Sequence, residues 1–235
     1  ILDFMATIAV ILASSVLIWY TVSRPPAAGP ASPPKAPTVP IPKGLVPIEG
    51  TAQQGSRDAR VGVIEFSEFQ CPFCAKFTTS TLPELVKGYV DTGKVLWVFR
   101  HLPLESLHPF AAGAAALSVC AQRVGRFWAV HDAFFSPPAV GSADEFRRRA
   151  LGTGLEAADL ASCEGAGLAA QQVQDDLRLA KSLQVKSTPT FLVGSTEKGG
   201  LHVLSVVLGA RPVGDFRAAL DAALSEAEVG RVHLP

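Results

Sequence analysis

The sequence lacks any net charge: 21 lysine and arginine side chains balance 21 aspartates and glutamates over 235 residues. Nucleic-acid binders usually carry a basic patch or stripe, and nothing in this balance suggests one. Cysteine is scarce, with only Cys71, Cys74, Cys120 and Cys163 present. An even number permits disulfides, but more than one pairing is possible and the count alone assigns none. Aromatic residues make up only 8% of the chain. From Ser106 to Leu183 no stretch reads as a convincing strand, which leaves helices as the material of the middle of the chain.

Charge is missing altogether from "FMATIAVILASSVLIWYTV", Phe4 to Val22. Its length is close to the ~20 apolar residues that a membrane-spanning helix needs. Trp19 and Tyr20 stand at its C-terminal end, where amphipathic rings prefer the headgroup level. The competing reading is a cleaved signal peptide, with Ala27, Ala28 and Gly29 as a small-residue site. An apolar core of only ~7–15 residues would then be usual. The length favours a retained anchor over residues 1–23. The first residue is Ile1 rather than methionine, so further residues are expected upstream, and Arg24 alone sets no orientation. "SRPPAAGPASPPKAPTVPIPKGLVP" follows, too dense in proline for helix or sheet. It predicts a semi-rigid polyproline spacer of ~3 Å per residue, or plain disorder, over residues 24–50. The folded domain is expected from Gly50 onward, over about 51–228.

Residues 66 to 77 read "FSEFQCPFCAKF". A lone Cys-x-x-Cys fits a metal clip, a structural staple or a reactive centre, and the surrounding elements have to decide. Val61 to Phe66 has the composition of a buried strand. Pro72 suits the first position of a helix, which runs to about Tyr89 with a break expected at Pro83. Val95 to Arg100 reads as a second strand, and strand–helix–strand suggests a parallel pair. Helices follow: "HPFAAGAAALSVCAQRV", then "RFWAVHDAFF" with Phe127, Val130 and Phe134 on one face, then "SADEFRRRALGTG" opening on a Ser142–Glu145 capping box. After a long polar helix come "PTFLVG" and "LHVLSVVLG", two strands joined by a glycine-containing turn. A last helix starts near Asp215. The order is β-α-β, a helical block over about 106–184, then β-β-α. This is an α/β, thioredoxin-like layout with an inserted all-helical subdomain.

Three features converge on thiol chemistry. Thiolates carry out thiol-disulfide exchange. Cys71 falls where the helix begins, and the unpaired N–H groups there stabilise an anion. It is expected to be solvent-reachable, with Cys74 one turn in, shielded, as the resolving thiol. "KSTPTF", Lys186 to Phe191, puts Thr188-Pro189 directly before a strand. A cis bond there would explain a proline in that place and set a backbone edge beside the cysteines. Glu65 lies six residues before Cys71 within the strand. A buried glutamate is rare, so it is either an ordinary surface carboxylate or a buried acid that relays the Cys74 proton. Glu68 competes for that role; the place of Glu65 between Ile64 and Phe66 favours Glu65.

"VIEFSEFQCPFCAKF", "FRHLPLESLHPFAAGAAALSVCAQRVGRFWAVHDAFF" and "VKSTPTFLVG" together resemble the DsbA-type branch of the thioredoxin superfamily, over roughly Val61 to Leu224. The resemblance implies a thioredoxin fold with a helical insertion and a disulfide-forming or disulfide-exchanging activity on secreted proteins. It also implies Cys71 as nucleophile, Cys74 as resolving cysteine, Glu65 as buried acid, and Thr188 and Pro189 as the substrate-contacting loop beside Pro72 and Phe73. The best-studied members carry histidine where Phe73 stands. A histidine can donate to the thiolate and a phenylalanine cannot, so Cys71 is expected to be less acidic than theirs and the protein a milder oxidant.

Cys120 and Cys163 both fall in the insertion. They form either a disulfide, the favoured reading in an oxidising compartment, or two buried free thiols. Zinc finds little support, because neither has a close cysteine partner in sequence. No metal and no cofactor are implied. His101, His108 and His131 read as structural, and Trp128 as core. The leading function is a single-pass, membrane-anchored oxidoreductase on the extracytoplasmic side, periplasmic or extracellular. Its partners would be cysteine-containing protein substrates and a membrane redox protein. A reductase or isomerase with reversed electron flow stays open, since direction depends on potential against the compartment. So does a non-catalytic thioredoxin-like subunit of a larger membrane assembly.

Overall fold

The computed structural model describes residues 39–232. The expected membrane anchor and the proline-rich stretch up to residue 38 lie outside the described residues. Among the described residues no helix is long and apolar enough to cross a membrane.

Five strands form one sheet in the order β1-β3-β2-β4-β5: β1 Ala52–Gln54, β2 Val61–Ser67, β3 Val95–His101, β4 Thr190–Glu197 and β5 Gly200–Leu208. β2 and β3 pair in parallel, and all other pairings are antiparallel. The crossover between the parallel pair is α1, Pro72–Ser80, then a short α2, Leu82–Leu85, and a π-helical turn, Val86–Val90. The break expected at Pro83 falls at Thr81, and Pro83 sits in the first turn of α2. There its missing N–H leaves no partner unsatisfied. Five helices make the insertion: α3 Ala111–Arg123, α4 Phe127–Phe135, α5 Ala143–Gly152, α6 Ala157–Gly165 and α7 Leu168–Ser182. α8, Val213–Val232, closes the fold. The Ser142 hydroxyl accepts from the Glu145 N–H at 3.2 Å, but the Glu145 carboxylate turns to Arg149 rather than back to Ser142.

Side chains alternate across the strands, and each face has its own core. On one face Val61, Val63, Val95, Trp97, Phe191 and Val193 meet Phe77 of α1 and Phe216 and Leu220 of α8. On the other, Ile64, Phe66, Leu96, Val98 and Leu192 meet Ala180 at the end of α7. Burying each large side chain contributes about 1.5–3 kcal/mol. The core of the insertion, around Phe127, Val130, Phe134 and Phe146, is continuous with Phe99 of β3 and with Phe69, Cys71 and Cys74. It is fastened to β3 by a buried ion pair: Arg100 donates to Asp176 Oδ1 at 2.7 Å, and the His101 N–H donates to Oδ2 at 2.9 Å.

Two features depart from the sequence reading. β1 went unseen, because three residues of "AQQ" carry no apolar period. Residues 39–50, expected as the end of the spacer, lie on the domain: Val46 is buried and exchanges backbone hydrogen bonds with Leu201. Proline density argued against a strand there, yet one unencumbered residue suffices for a bridge to the edge strand β5.

Candidate functional site

Glu65 and Ser67 are set by the alternation of β2. They fall on the face that carries Val61 and Val63, which is the face covered by α1. β2 ends at Ser67, and the chain turns through a short loop in which the Gln70 N–H donates to the Glu68 carboxylate at 2.7 Å. Cys71 is the N-cap of α1 with extended backbone, and Pro72 opens the helix. Cys74 follows one turn later and is fully buried. The antiparallel register of β2 and β4 pairs Phe66 with Thr190. It thereby brings Thr188 and Pro189, the two residues ahead of β4, to the same end of the sheet as Cys71. The Thr188–Pro189 peptide bond is cis.

The Cys71 Sγ lies 3.6 Å from the Thr188 carbonyl oxygen. Its thiol is pulled down to about 5. The largest cause is the Cys74 S–H, which donates to it. Burial opposes this, and the Thr188 hydroxyl and the backbone N–H groups of Cys74 and Phe73 add to the lowering. The hydroxyl has no other partner and is free to donate once Cys71 ionises. The helix N-terminus therefore helps, but the neighbouring thiol contributes more. Cys74 is pushed the other way, by burial first and by the facing Cys71 second. The two thiols are thus driven apart, one toward the anion and one toward the neutral donor.

Glu65 is fully buried, and its Oε2 accepts from Trp97 Nε1 at 2.9 Å. Burial raises it above the usual carboxylate range, against lowering contributions from His131, Trp97 and Ser67. The Ser67 hydroxyl lowers both Glu65 and Cys74, although it forms no well-aligned hydrogen bond to either. Glu65 and Cys74 thus share Ser67 as a neighbour that influences both.

One expectation is corrected. Cys71 is only 4% exposed rather than open to solvent. A helix N-terminus taken alone is open, but the Thr188–Pro189 loop closes over this one. What stands out to solvent is its neighbours: Phe73 is 62% exposed and Pro72 is exposed as well. The exposed surface next to the sulfur in sequence is thus that of Pro72 and Phe73.

The sequence reads His108 as structural and Glu68 as the competitor of Glu65 for the buried acid, with no link between them. The structure joins them: Glu68 Oε1 contacts His108 Nδ1, with the Glu68 side chain fully buried. Burial raises Glu68, the Gln70 N–H and His108 lower it, and the nearby Cys71 raises it, so the charge of the sulfur is felt at Glu68. Their separation along the chain, with β3 between them, left no local signal for this pair. Cys120 and Cys163, in α3 and α6, are joined by a disulfide.

The family model described as thioredoxin matches residues 48–202. A protein of Salinispora tropica named Na(+)/H(+) antiporter NhaA 3 is 32% identical over 71% of this chain and 25% of its own length. The chain thus spans about a quarter of the length of such antiporter relatives. Disulfide bond formation protein D of Bacillus subtilis is 26% identical, over 64% of this chain and 70% of the relative. Among solved structures, alpha-DsbA1 of Wolbachia pipientis superposes with a TM-score of 0.67 at 22% identity, covering 79% of this chain and 96% of that one. That agreement is one of fold.

Proposed function

This chain belongs to the thioredoxin family, and from that premise we propose that it is a DsbA-type thiol-disulfide oxidoreductase acting on cysteine-containing proteins. One observation carries the reading: two adjacent thiols pushed in opposite directions, Cys71 down to about 5 and Cys74 up, beside a cis Thr188–Pro189 edge. An exchange enzyme needs one sulfur that is an anion at neutral pH and a second that stays protonated until its turn. A structural pair has no use for that asymmetry.

In the oxidising direction the Cys71–Cys74 disulfide is attacked at Cys71 by a substrate thiolate. A substrate–Cys71 bond forms, the Cys71–Cys74 bond breaks, and Cys74 leaves as a thiolate that takes up a proton from Glu65. A second substrate thiolate then attacks the substrate sulfur of the mixed disulfide. The substrate disulfide forms and Cys71 leaves as the stabilised thiolate. In the reducing direction the steps reverse, and Cys74 gives its proton to Glu65 as it attacks Cys71. Pro72, Phe73, Thr188 and Pro189 contact the substrate. Exposed Phe73 suits apolar segments of a loosely folded chain, and the Thr188 carbonyl and Pro189 offer a backbone edge.

The uncharged run from Phe4 to Val22 supports a single-pass anchor, with the domain on the extracytoplasmic side, where disulfides persist. The Cys120–Cys163 disulfide fits the same compartment. A membrane redox partner would reset the Cys71–Cys74 pair. A second reading, a thioredoxin-like part of a larger membrane protein without exchange activity, is favoured by the antiporter names of relatives about four times as long as the matched segment. Insulin reduction and peptide oxidation with a Cys71→Ser control separate the two. Loss of activity in the variant supports the enzyme, and activity that survives it ends the proposed chemistry. A reduction potential near ~−270 mV assigns the reducing direction, and one near ~−120 mV the oxidising direction.

A further inference from the structure

Each turnover moves a proton on or off Cys74 through Glu65, and Glu65 is sealed from water. The strands around it offer no outlet. Its register neighbours are Phe99 on β3 and Phe191 on β4, and its Oε2 is engaged by Trp97. Its other oxygen, Oε1, is buried and has no hydrogen-bond partner. A buried acceptor left unpaired carries a penalty of about 1–3 kcal/mol, more when charged. Native structures rarely retain such an atom without a reason.

α4 supplies the counterpart. His131 is fully buried, and its ring lies 5.5 Å from the ring of Phe99, the residue beside Glu65 in the sheet. Its Nδ1 is paired with Asp132 Oδ1 at 2.8 Å. A carboxylate there accepts from Nδ1–H and leaves Nε2 as the free nitrogen. Nε2 is also buried and without a partner. Glu65 and His131 interact electrostatically, and His131 is the largest of the influences that favour the Glu65 anion. Asp132 has 74% of its side chain exposed and lines an open cavity of about 430 Å³ with Thr78 of α1 and Trp128. Glu65 and His131 thus each keep one unpaired buried atom, share Phe99 as a neighbour, and interact electrostatically, and His131 leads through Asp132 to the surface.

We propose that His131, oriented by Asp132, is the outlet through which the proton that Glu65 takes from Cys74 reaches solvent, and the inlet for its return. His131 acts through Glu65 and does not touch the sulfurs, so it is a positioning residue. The inference rests on the oxidoreductase reading given above. The other titratable groups facing this region do not replace it. His101 is pulled down to about 3 by burial, Arg100 and His131, so it stays the neutral imidazole at neutral pH and takes up no further proton there. Arg100 points to Asp176 on the opposite face of β3. Glu68 is engaged by Gln70 and His108 on the Cys71 side.

The test follows release of glutathione from the Cys71–glutathione mixed disulfide, made with oxidised glutathione, across pH. The step forms the Cys71–Cys74 bond, breaks the Cys71–glutathione bond, and sends the Cys74 proton to Glu65. The full chain is compared with His131→Gln and with Asp132→Asn, an exposed change that leaves the core intact. The expected result is about tenfold slower release in His131→Gln and about threefold in Asp132→Asn, with displaced pH profiles and unchanged alkylation of Cys71 in the reduced protein. Infrared difference spectra against Glu65→Gln give a readout that needs no turnover: the Glu65 carboxyl should ionise at higher pH in His131→Gln. Profiles that superimpose on the parent's overturn the proposal, and if His131→Gln does not fold, a parental profile in Asp132→Asn overturns it alone. A parent chain that releases no glutathione at all sinks the oxidoreductase reading instead, so the two failures are distinct.

Discussion

The sulfur of Cys71 rests 3.6 Å from the carbonyl oxygen of Thr188, a residue 117 positions away. The contact closes the loop before β4 over the start of α1. It leaves the sulfur buried beside exposed Phe73, and it puts the edge that would hold a substrate backbone next to the sulfur that would attack it.

The acidity of Cys71 is predicted to come mainly from Cys74. In the reduced protein, thiolate absorbance should titrate with a midpoint near pH 5, above the ~3.5 of DsbA, as the absence of a histidine at position 73 implies. Cys74→Ala should raise the midpoint by about one to two pH units, and Thr188→Val by less, since a hydrogen bond to a charged group is worth ~1.5–3 kcal/mol at ~1.4 kcal/mol per unit. The linkage has a definite sign. The folded value lies below the unfolded one, so the stabilisation of the reduced form is complete above ~8.5 and is lost as pH falls toward about 5. Equal midpoints in the parent and Cys74→Ala would return the credit to the helix N-terminus.

Glu65 should weaken the fold at alkaline pH. Burial raises its folded value above the unfolded one. Its neutral form is favoured at low pH, and stability falls as pH rises through the folded value. Glu65→Gln should therefore be more stable than the parent at pH 8, by about 1–3 kcal/mol, and slower in mixed-disulfide resolution. Urea unfolding at acid and alkaline pH checks this: the gain should shrink toward zero in acid.

Removing the disulfide from the insertion should separate stability from chemistry. Cys120→Ser/Cys163→Ser opens a loop of 43 residues' separation, and about 3–4 kcal/mol should be lost in the loop-entropy picture. The Cys71 midpoint should not move, because neither cysteine of that disulfide is among the groups that set it. Denaturant unfolding and thiolate titration on one sample report both.

Asp176 should be among the costliest side chains to remove. It holds Arg100 and the His101 N–H at 2.7 and 2.9 Å, and Asp176→Ala leaves an arginine buried without its anion. A loss of about 3–5 kcal/mol is expected. Proteolysis should begin in α7 if the insertion detaches from β3 before the sheet opens. Cleavage first at the α8 end would contradict that.

The sequence was explicit wherever chemistry or periodicity is local. Cys71-Pro72-Phe73-Cys74 declared a helix start with two thiols one turn apart, Pro83 declared a break, and the β-branched runs declared β2 to β5 in order. Thr188-Pro189 before a strand declared the cis bond that the structure contains. These features depend on backbone dihedrals and nearest neighbours, which a linear reading contains. Only the tertiary structure decided what lies across the chain: that the loop at Thr188 covers Cys71, that Glu68 meets His108, and that Glu65 and His131 each keep a buried polar atom with no hydrogen-bond partner. Burial and charge proximity act through space, and their strength is set by which side chains exclude water. That is a property of the packed sheet and helices together, and no single stretch of residues carries it.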